Sequence, residues 1–198
     1  MRVLLTTMPG VGHLHPLLPV ARGLRSRGHE LLVATSQGLG AEVATVGLDL
    51  APVGAAWTTS ELPVRFPDLG AIAPGPANVR VESWIPQAAL LPHCAAVVTH
   101  GGYGTVAAAL AHGRPLVLLP ISADQPANAH RCAAAGVGIA IGPDDRSPKS
   151  IRRAVRTVLD QPGYRAAAAR AAAEASAQPD LDHALDHLEA LAAMAQAR

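Results

Sequence analysis

The 198-residue sequence predicts an α/β fold with parallel β-sheets and flanking helices. Short apolar runs alternate along the chain with helical patterns, as they do when each strand is followed by a crossover helix. The runs are continuously apolar, which is typical of strands that helices cover on both faces. Hydrophobic residues make up 49% of the chain and charged residues 16%, a composition that supports a folded core.

The first part of the chain predicts a βαβ unit. A strand is expected at 3–7 and a second at 30–36, with a helix between them that ends at Gly28. The apolar residues of that helix recur at helical spacing: Leu14, Leu17, Leu18, Ala21 and Leu24. A short helix from residue 38 and a third strand near 49–53 follow. Residues 1–62 are therefore interpreted as one domain.

A second domain is predicted for residues 63–198. The segment 61–79 is rich in proline and glycine and indicates a junction. The elements expected after it are strands at 79–84, 95–100, 115–121 and 137–142, and helices at 87–93, 104–113 and 124–135. The end of the chain is predicted to be helical, with Ser147 as an N-cap, Pro148 in the first turn and a last helix from about Asp180.

Composition also narrows the class of partner. The formal net charge is +1 and aromatic residues are 3%, so neither nucleic acid nor an anionic membrane surface is expected as a partner. The start of the chain lacks the pattern of a signal peptide, and no apolar run is long enough to span a bilayer. The two cysteines, Cys94 and Cys132, do not form a disulfide framework. A cytoplasmic location is expected.

The stretch "VTHGGYGT" (98–105) is the first candidate for a binding site. It joins a predicted strand to a predicted helix through His100 and three glycines, although glycine loses the most backbone entropy on folding. A glycine-rich turn at a helix N-terminus exposes N–H groups that suit a diphosphate, and His100 adds a donor. Taken alone, the glycines fit an ordinary tight turn equally well.

Two more stretches place polar groups at predicted strand ends. In "WIPQ" (84–87), Trp84 offers a flat face for a nucleobase and Gln87 an amide, although Trp84 could equally be a core residue. In "ADQ" (123–125), Asp124 and Gln125 form a carboxylate–amide pair suited to sugar hydroxyls. Asp124 could also act as a helix N-cap.

In this order, "WIPQ…HGGYGT…GRPLVLLPISADQ" resembles the donor signature of the UDP-glycosyltransferase superfamily (family GT1), which has the GT-B fold of Rossmann-like lobes. The bacterial enzymes that glycosylate natural products are the most similar members. The resemblance implies that Trp84 stacks on uracil or thymine and that Gln87 contacts the nucleoside. It assigns the diphosphate to His100, Gly102, Gly104 and Thr105, and the donor sugar to Asp124 and Gln125. Many members have a ribose-binding glutamate where this chain has Ala108.

The N-terminal stretch "GVGHLHPLLPVARGLRSRGHELLVAT" (10–35) resembles the first βαβ unit of the family's acceptor lobe. The resemblance implies that His13 is the general base, because an acceptor hydroxyl must lose its proton as it attacks the anomeric carbon. The nucleotide sugar would be UDP- or dTDP-linked. The acceptor would be a small, hydrophobic, hydroxylated natural product. No cofactor and no metal are expected.

Two metal-like patterns have simpler explanations. "DLD" (180–182) stands at the start of the last helix, where Asp180 is expected to act as an N-cap. His183 and His187 share one helix face, but no third ligand is evident.

The family's chains are usually much longer, and the rest of the acceptor lobe is missing after about residue 60. The aspartate that orients the catalytic histidine normally lies in that stretch and matches no residue here. Two arrangements stay open: a small truncated lobe beside a donor lobe, or one merged sheet. Two functions also stay open. One is an inverting glycosyltransferase, and the other is a nucleotide-sugar-binding subunit or inactive remnant that needs a partner chain. A homodimer is a further possibility.

Overall fold

The structure is a computed structural model and describes residues 1–8, 10–54 and 86–196. The described residues divide into two compact units. One unit comprises those within Met1–Pro74 and Pro179–Arg198, and the other those within Gly75–Gln178. The sequence predicts that the last helix belongs to the second domain, residues 63–198. The structure instead packs this helix against the first unit. The predicted junction at 61–79 and the predicted strand at 79–84 lie outside the described residues.

The first unit is built on a parallel sheet with the strand order β1-β2-β3. Its strands are β1 (Arg2–Thr6), β2 (Glu30–Thr35) and β3 (Asp49–Pro52). In register, Val3 pairs with Leu31 and Leu32 pairs with Asp49. The helices of this unit are α1 (Val11–Leu14), α2 (Leu18–Ser26), α3 (Gly40–Thr45) and α9 (Leu181–Gln196). Gly28 follows α2 with φ +80°, the left-handed conformation that the sequence predicted for a helix end.

Only one face of the first sheet carries a helix-covered core within the described residues. Leu5 and Val33 pack on that face with a cluster of residues from α1 and α3 that includes Leu14 and Val43. Their neighbours point to the opposite face, because side chains alternate along a strand. On that face Leu4 is 59% exposed and Leu32 is 40% exposed.

The second unit has a parallel sheet with the order β4-β5-β6. Its strands are β4 (Val97–Thr99), β5 (Leu116–Leu118) and β6 (Gly138–Ala140), and its helices are α4 (Gln87–Leu90), α5 (Tyr103–Ala111), α6 (Gln125–Ala134), α7 (Pro148–Asp160) and α8 (Pro162–Ser176). Ser147 caps α7 through a capping box with Ser150, and Pro148 lies in its first turn, as predicted. The described strands thus form two sheets rather than one continuous sheet.

The central strand β5 is covered on both faces. Leu116 and Leu118 pack with residues of α5, α6 and α8, whereas Val117 packs with Ala154 and Val158 of α7. All three residues of β5 have no exposed surface, which is why this strand reads as a continuous apolar run. The carboxyl ends of β4 and β5 are thereby fixed by a rigid core, and the loops that leave them carry the candidate site.

The two cysteines are not bonded to each other. Cys132 is buried in the core of the second unit, and this burial raises the pKa of its thiol. Cys94 is half-buried, and its thiol donates to the Leu90 carbonyl at 3.4 Å. Among the described residues, no helix combines the length and the apolar character that crossing a bilayer requires.

Candidate functional site

The turn after β4 depends on glycine at its first position. Gly101 has φ +90°, and a Cβ there would lie 3.4 Å from Cδ2 of Leu118 and 3.5 Å from the carbonyl oxygen of Gln125. Its N–H donates to Oγ1 of Thr99 at 3.2 Å, so the strand end and the turn are tied together. A left-handed conformation and a close approach to α6 therefore both select glycine at this position.

The next residues form an open, positively polarised surface at the start of α5. The helix begins at Tyr103 with Gly102 as its N-cap, and no side chain caps it. The N–H groups of the first helical turn have no intrahelical acceptors, and the helix dipole adds partial positive charge there. His100 is exposed, and a Cβ on Gly102 would lie only 2.7 Å from its Nε2. The imidazole therefore lies over Gly102, beside a helix N-terminus that suits an anion.

Gln87 and Thr105 lie next to this turn. Gln87 begins α4, and its Nε2 donates to Oγ1 of Thr105 at 3.4 Å, a long hydrogen bond between exposed groups. The contact brings two of the expected donor-binding residues together across 18 positions of sequence. Trp84, the expected base platform, lies outside the described residues.

Gln125 is folded back onto the loop after β5. Its Oε1 accepts from the N–H of Ile121 at 2.8 Å and from that of Ser122 at 3.1 Å. Between them and the helix stands Ala123, a non-glycine residue with φ +56°, which marks local backbone strain. The side-chain amide oxygen of Gln125, Oε1, is therefore occupied by hydrogen bonds to the loop. The NH₂ group of the same amide is not used by these two hydrogen bonds.

Asp124 occupies the N-cap position of α6, but its side chain makes no capping hydrogen bond. Its Oδ2 instead accepts from Nδ2 of Asn128 at 2.8 Å. Asn128 Nδ2 also donates to the carbonyl oxygen of Gly101 at 3.0 Å. Sequence reasoning missed Asn128. Its signal was its position one helical turn after Asp124, where side chains share a face.

Ala108 lies on α5 and packs half-buried against the core of the second unit. The position at which many family members carry a glutamate therefore offers no polar group here.

His13 belongs to the first unit and lies in α1, which follows the carboxyl end of β1. Its side chain is exposed, and its backbone N–H donates to the Gly10 carbonyl at 2.9 Å. Within the described part of the chain, no carboxylate is hydrogen-bonded to the imidazole. The structure thus places His13 at a strand end, as expected, and the described residues supply no partner that fixes its tautomer.

The two aspartates of the "DLD" pattern near the C-terminus have structural roles. Oδ1 of Asp180 accepts from the backbone N–H of His183 at 3.0 Å, which confirms Asp180 as an N-cap of α9. Asp182 pairs with Arg27 at 2.9 Å. The rings of His183 and His187 lie 5.3 Å apart, and the described residues contain no group of three metal-ligating side chains.

Both units are parallel α/β units, and a glycine-rich turn, a histidine and a carboxylate follow the strand ends of the second, as is typical of the Rossmann-like class of fold. Within this class, the chain belongs to the family described as erythromycin biosynthesis protein CIII-like, C-terminal domain, whose model matches residues 64–191.

Two of the curated relatives of the chain are named as a synthase and as a desosaminyl transferase. The chain is 47% identical over 120 residues to 4'-demethylrebeccamycin synthase of Lentzea aerocolonigenes, covering 61% of this chain and 28% of the relative. It is 41% identical over 125 residues to 3-alpha-mycarosylerythronolide B desosaminyl transferase of Saccharopolyspora erythraea, covering 63% of this chain and 30% of that enzyme. The chain therefore matches less than a third of the length of these relatives.

Solved structures agree on the fold. Spinosyn forosaminyltransferase SpnP superposes with a TM-score of 0.85 over 98% of this chain and 99% of that chain, at 17% identity. Glycosyltransferase VinC, solved in complex with dTDP, superposes with a TM-score of 0.59 over 98% of this chain and 42% of that chain, at 27% identity. The predicted GT-B-type α/β fold is thereby confirmed.

Proposed function

We propose that this protein is an inverting glycosyltransferase. It moves a sugar from a UDP- or dTDP-sugar to a hydroxyl of a small, hydrophobic natural-product acceptor. The observation that carries the proposal is the group of polar residues at the ends of β4 and β5. His100 and the uncapped start of α5 suit an anion, and Asn128 links Asp124 to the Gly101 carbonyl beside them. The names of the relatives and the dTDP complex of VinC support the same substrate class.

The donor is held in three parts in this proposal. Trp84 stacks on the pyrimidine, and Gln87 binds the nucleoside. His100 and the backbone at Gly102, Gly104 and Thr105 bind the diphosphate, since a helix N-terminus and an imidazole both stabilise negative charge. In the third part, Asp124 accepts hydrogen bonds from sugar hydroxyls and the amide of Gln125 donates to them.

The reaction is a single displacement. His13 takes the proton of the acceptor hydroxyl as its oxygen forms a bond to the anomeric carbon. The bond from that carbon to the diphosphate oxygen breaks on the opposite side, and the bonding electrons leave with the nucleoside diphosphate. The charge that develops on the diphosphate is stabilised by His100 and the first turn of α5. The proposal assigns no step to a resident metal or cofactor.

Calorimetric titration with dTDP, UDP and GDP tests the donor half of the proposal. We expect both pyrimidine diphosphates to bind more tightly than GDP, because a pyrimidine platform at Trp84 selects the base. Substituting His100→Ala should weaken dTDP binding by about tenfold, the effect of losing one hydrogen bond to a charged group. Equal or absent binding of all three diphosphates would refute the assignment of a pyrimidine nucleotide sugar.

A second function is favoured by one observation. The chain matches only 28% and 30% of the lengths of two curated relatives. In this second function, the chain binds the nucleotide sugar, and a partner chain or second copy supplies the surface that binds the acceptor. His13→Ala separates the two functions, with His15→Ala as the matched control because both histidines are exposed in the same turn. Transferase action through His13 predicts a fall in kcat of about 10²- to 10⁴-fold for the first variant only. Equal activity of both variants, with donor binding intact, supports the binding subunit.

A further inference from the structure

Asn128 joins the two halves of the candidate donor site. Its Nδ2 lies 2.8 Å from Oδ2 of Asp124 and 3.0 Å from the carbonyl oxygen of Gly101. One partner is a carboxylate oxygen and the other a backbone carbonyl oxygen, and both are acceptors, so only the NH₂ group of the side chain can satisfy them. Turning the amide over would place its oxygen against two other oxygens. The partners therefore fix the orientation of the amide.

The bond to Gly101 also orients the glycine-rich turn. A trans peptide holds its C=O and N–H on opposite sides, so binding the Gly101 carbonyl turns the N–H of Gly102 away from Asn128. The N–H on the other side of Gly101 is already held by Thr99. Both peptide groups of Gly101 are thus anchored, and the direction of the Gly102 N–H is set before any ligand binds.

The bond to Asp124 uses one oxygen of that carboxylate, and the described residues give the other oxygen no hydrogen bond. Asp124 has no capping bond to hold it, and its side chain is exposed. Asn128 is the described residue that restrains it by a side-chain hydrogen bond. Asn128 is half-buried, and its backbone is held in α6 because its N–H donates to the backbone carbonyl oxygen of Asp124 at 3.0 Å.

We propose that Asn128 is a positioning residue that couples the sugar-binding carboxylate of Asp124 to the diphosphate-binding turn at Gly101–Gly102. This inference rests on the proposed function, and it adds a residue that touches neither the sugar nor the diphosphate. One amide sets the separation between the two groups that grip the donor. Its loss therefore weakens the sugar contribution through Asp124 and the diphosphate contribution through Gly102.

The test measures dissociation constants for dTDP and for dTDP-glucose, and uses their ratio as the sugar contribution. Asn128→Ala removes both hydrogen bonds, and Asn128→Asp keeps the shape but places a carboxylate against Asp124 and the Gly101 carbonyl. We expect each variant to weaken dTDP binding by about three- to tenfold and to lower the sugar contribution about tenfold further. His130→Ala, on an exposed position of the same helix, should match the wild type.

A double-mutant cycle with Asp124→Ala separates positioning from a general loss of structure. If Asn128 acts on the sugar through Asp124, its removal costs no further sugar contribution once Asp124 is gone, yet dTDP binding still weakens through Gly101. Additive losses in the sugar contribution, or an unchanged dTDP affinity in Asn128→Ala, would overturn the inference. Absence of dTDP and UDP binding in the wild-type protein is a separate result, which refutes the proposed function and this inference with it.

Discussion

At the scale of single residues, the site is defined by how close the His100 imidazole lies to Gly102. A methyl group at Gly102 would lie 2.7 Å from Nε2 of His100, whereas one at Gly104 would meet nothing within 4 Å. We therefore expect Gly102→Ala to displace the imidazole and to lower dTDP affinity by about tenfold, the equivalent of one charge-assisted hydrogen bond. Calorimetry gives the affinity, and the His100 ring resonances in an NMR spectrum report the displacement.

Gly104→Ala is the matched comparison within the same helix. Because alanine is the better helix former, this variant should raise the free energy of unfolding by about 0.5–1 kcal/mol without moving His100. The added methyl still stands on the surface proposed for the diphosphate, so nucleotide affinity should fall without a change in the imidazole resonances. Equal effects of the two variants on the His100 ring would contradict the geometry described for Gly102.

The sequence predicted the residues at the strand ends but not what each side chain does there. The spacing of His100, Asp124 and Gln125 followed from apolar runs whose ends could be read directly. Two details could not be read, because they depend on rotamers set by the loop after β5. One is that the side-chain oxygen Oε1 of Gln125 accepts hydrogen bonds from two backbone N–H groups. The other is that Asp124 accepts a hydrogen bond from Asn128 instead of capping α6.

At the scale of elements, α9 packs on α2 at Gly23, where the absence of a side chain leaves room for Leu185. A Cβ at Gly23 would lie 2.5 Å from Cδ1 of Leu185, which is 1% exposed. Gly23→Ala should therefore overpack this contact and lower the free energy of unfolding by about 1–3 kcal/mol. Leu185→Ala should cost about 2–5 kcal/mol by leaving a cavity, and chemical denaturation measures both.

Combining the substitutions at Gly23 and Leu185 tests whether these two residues are in direct contact. If Gly23 and Leu185 meet as described, the double variant should be more stable than the sum of the single effects implies, since the new methyl fills part of the cavity. Leu191→Ala on the same helix is the control, because Leu191 is 63% exposed and should change stability by less than about 0.5 kcal/mol. Strict additivity of the two core substitutions would exclude the direct contact.

An ionic network at the edge of α9 strengthens the same docking. Arg27 contacts Asp182 at 2.9 Å, Asp186 at 2.6 Å and Glu189 at 3.3 Å, and Nε2 of His29 lies 2.7 Å from Oε1 of Glu189. The carboxylates raise the pKa of the Arg27 guanidinium above its ordinary value. The hydrogen bond with His29 is the main cause that lowers the pKa of the Glu189 carboxyl, and the charge of Arg27 adds to it.

The lowered pKa of Glu189 predicts how α9 responds to acid. A carboxyl whose pKa is lowered by folding stabilises the folded state above its ordinary value of about 4.3, and this contribution is lost as the pH falls through the lowered pKa. Amide hydrogen exchange in α9 should therefore accelerate, relative to other helices, when the pH falls below about 4.3. Glu189→Gln removes this titration and leaves Asp182 and Asp186. An unchanged acid response in that variant would show that Glu189 is not its source.

At the scale of the whole molecule, local patterns predicted the elements but not the partner of the last helix. The strands and helices followed from continuous apolar runs, glycine ends and the Ser147–Pro148 start of α7. The return of α9 to the first unit depends on contacts between residues that lie about 160 positions apart in the sequence, such as Arg27 with Glu189. The local sequence does not show that Leu185 fills the space at Gly23, or that Arg27 is the partner of the carboxylates on α9, so the sequence alone assigned α9 to the wrong unit.

The two units therefore differ in how they depend on the C-terminal segment. The core of the second unit is built from residues within Gly75–Gln178, including both helix layers on β5. In the first unit, in contrast, the side chain that packs at Gly23 and the carboxylates that pair with Arg27 all come from residues after Gln178. A chain that ends at Gln178 should then retain the nucleotide site while the first unit loses part of its core.

We expect this shortened chain to bind dTDP with an affinity within about threefold of the full chain, a difference of less than 1 kcal/mol. Amides of α2 should lose protection from hydrogen exchange, because α9 no longer packs on this helix, whereas those of β5 and α5 should keep it. The single variant Leu185→Ala in the full chain controls for the covalent truncation, since it weakens the same docking without removing residues. Loss of dTDP binding together with protection in β5 would mean that the second unit needs α9 to fold. Unchanged protection in α2 would contradict the packing of α9 described for the first unit.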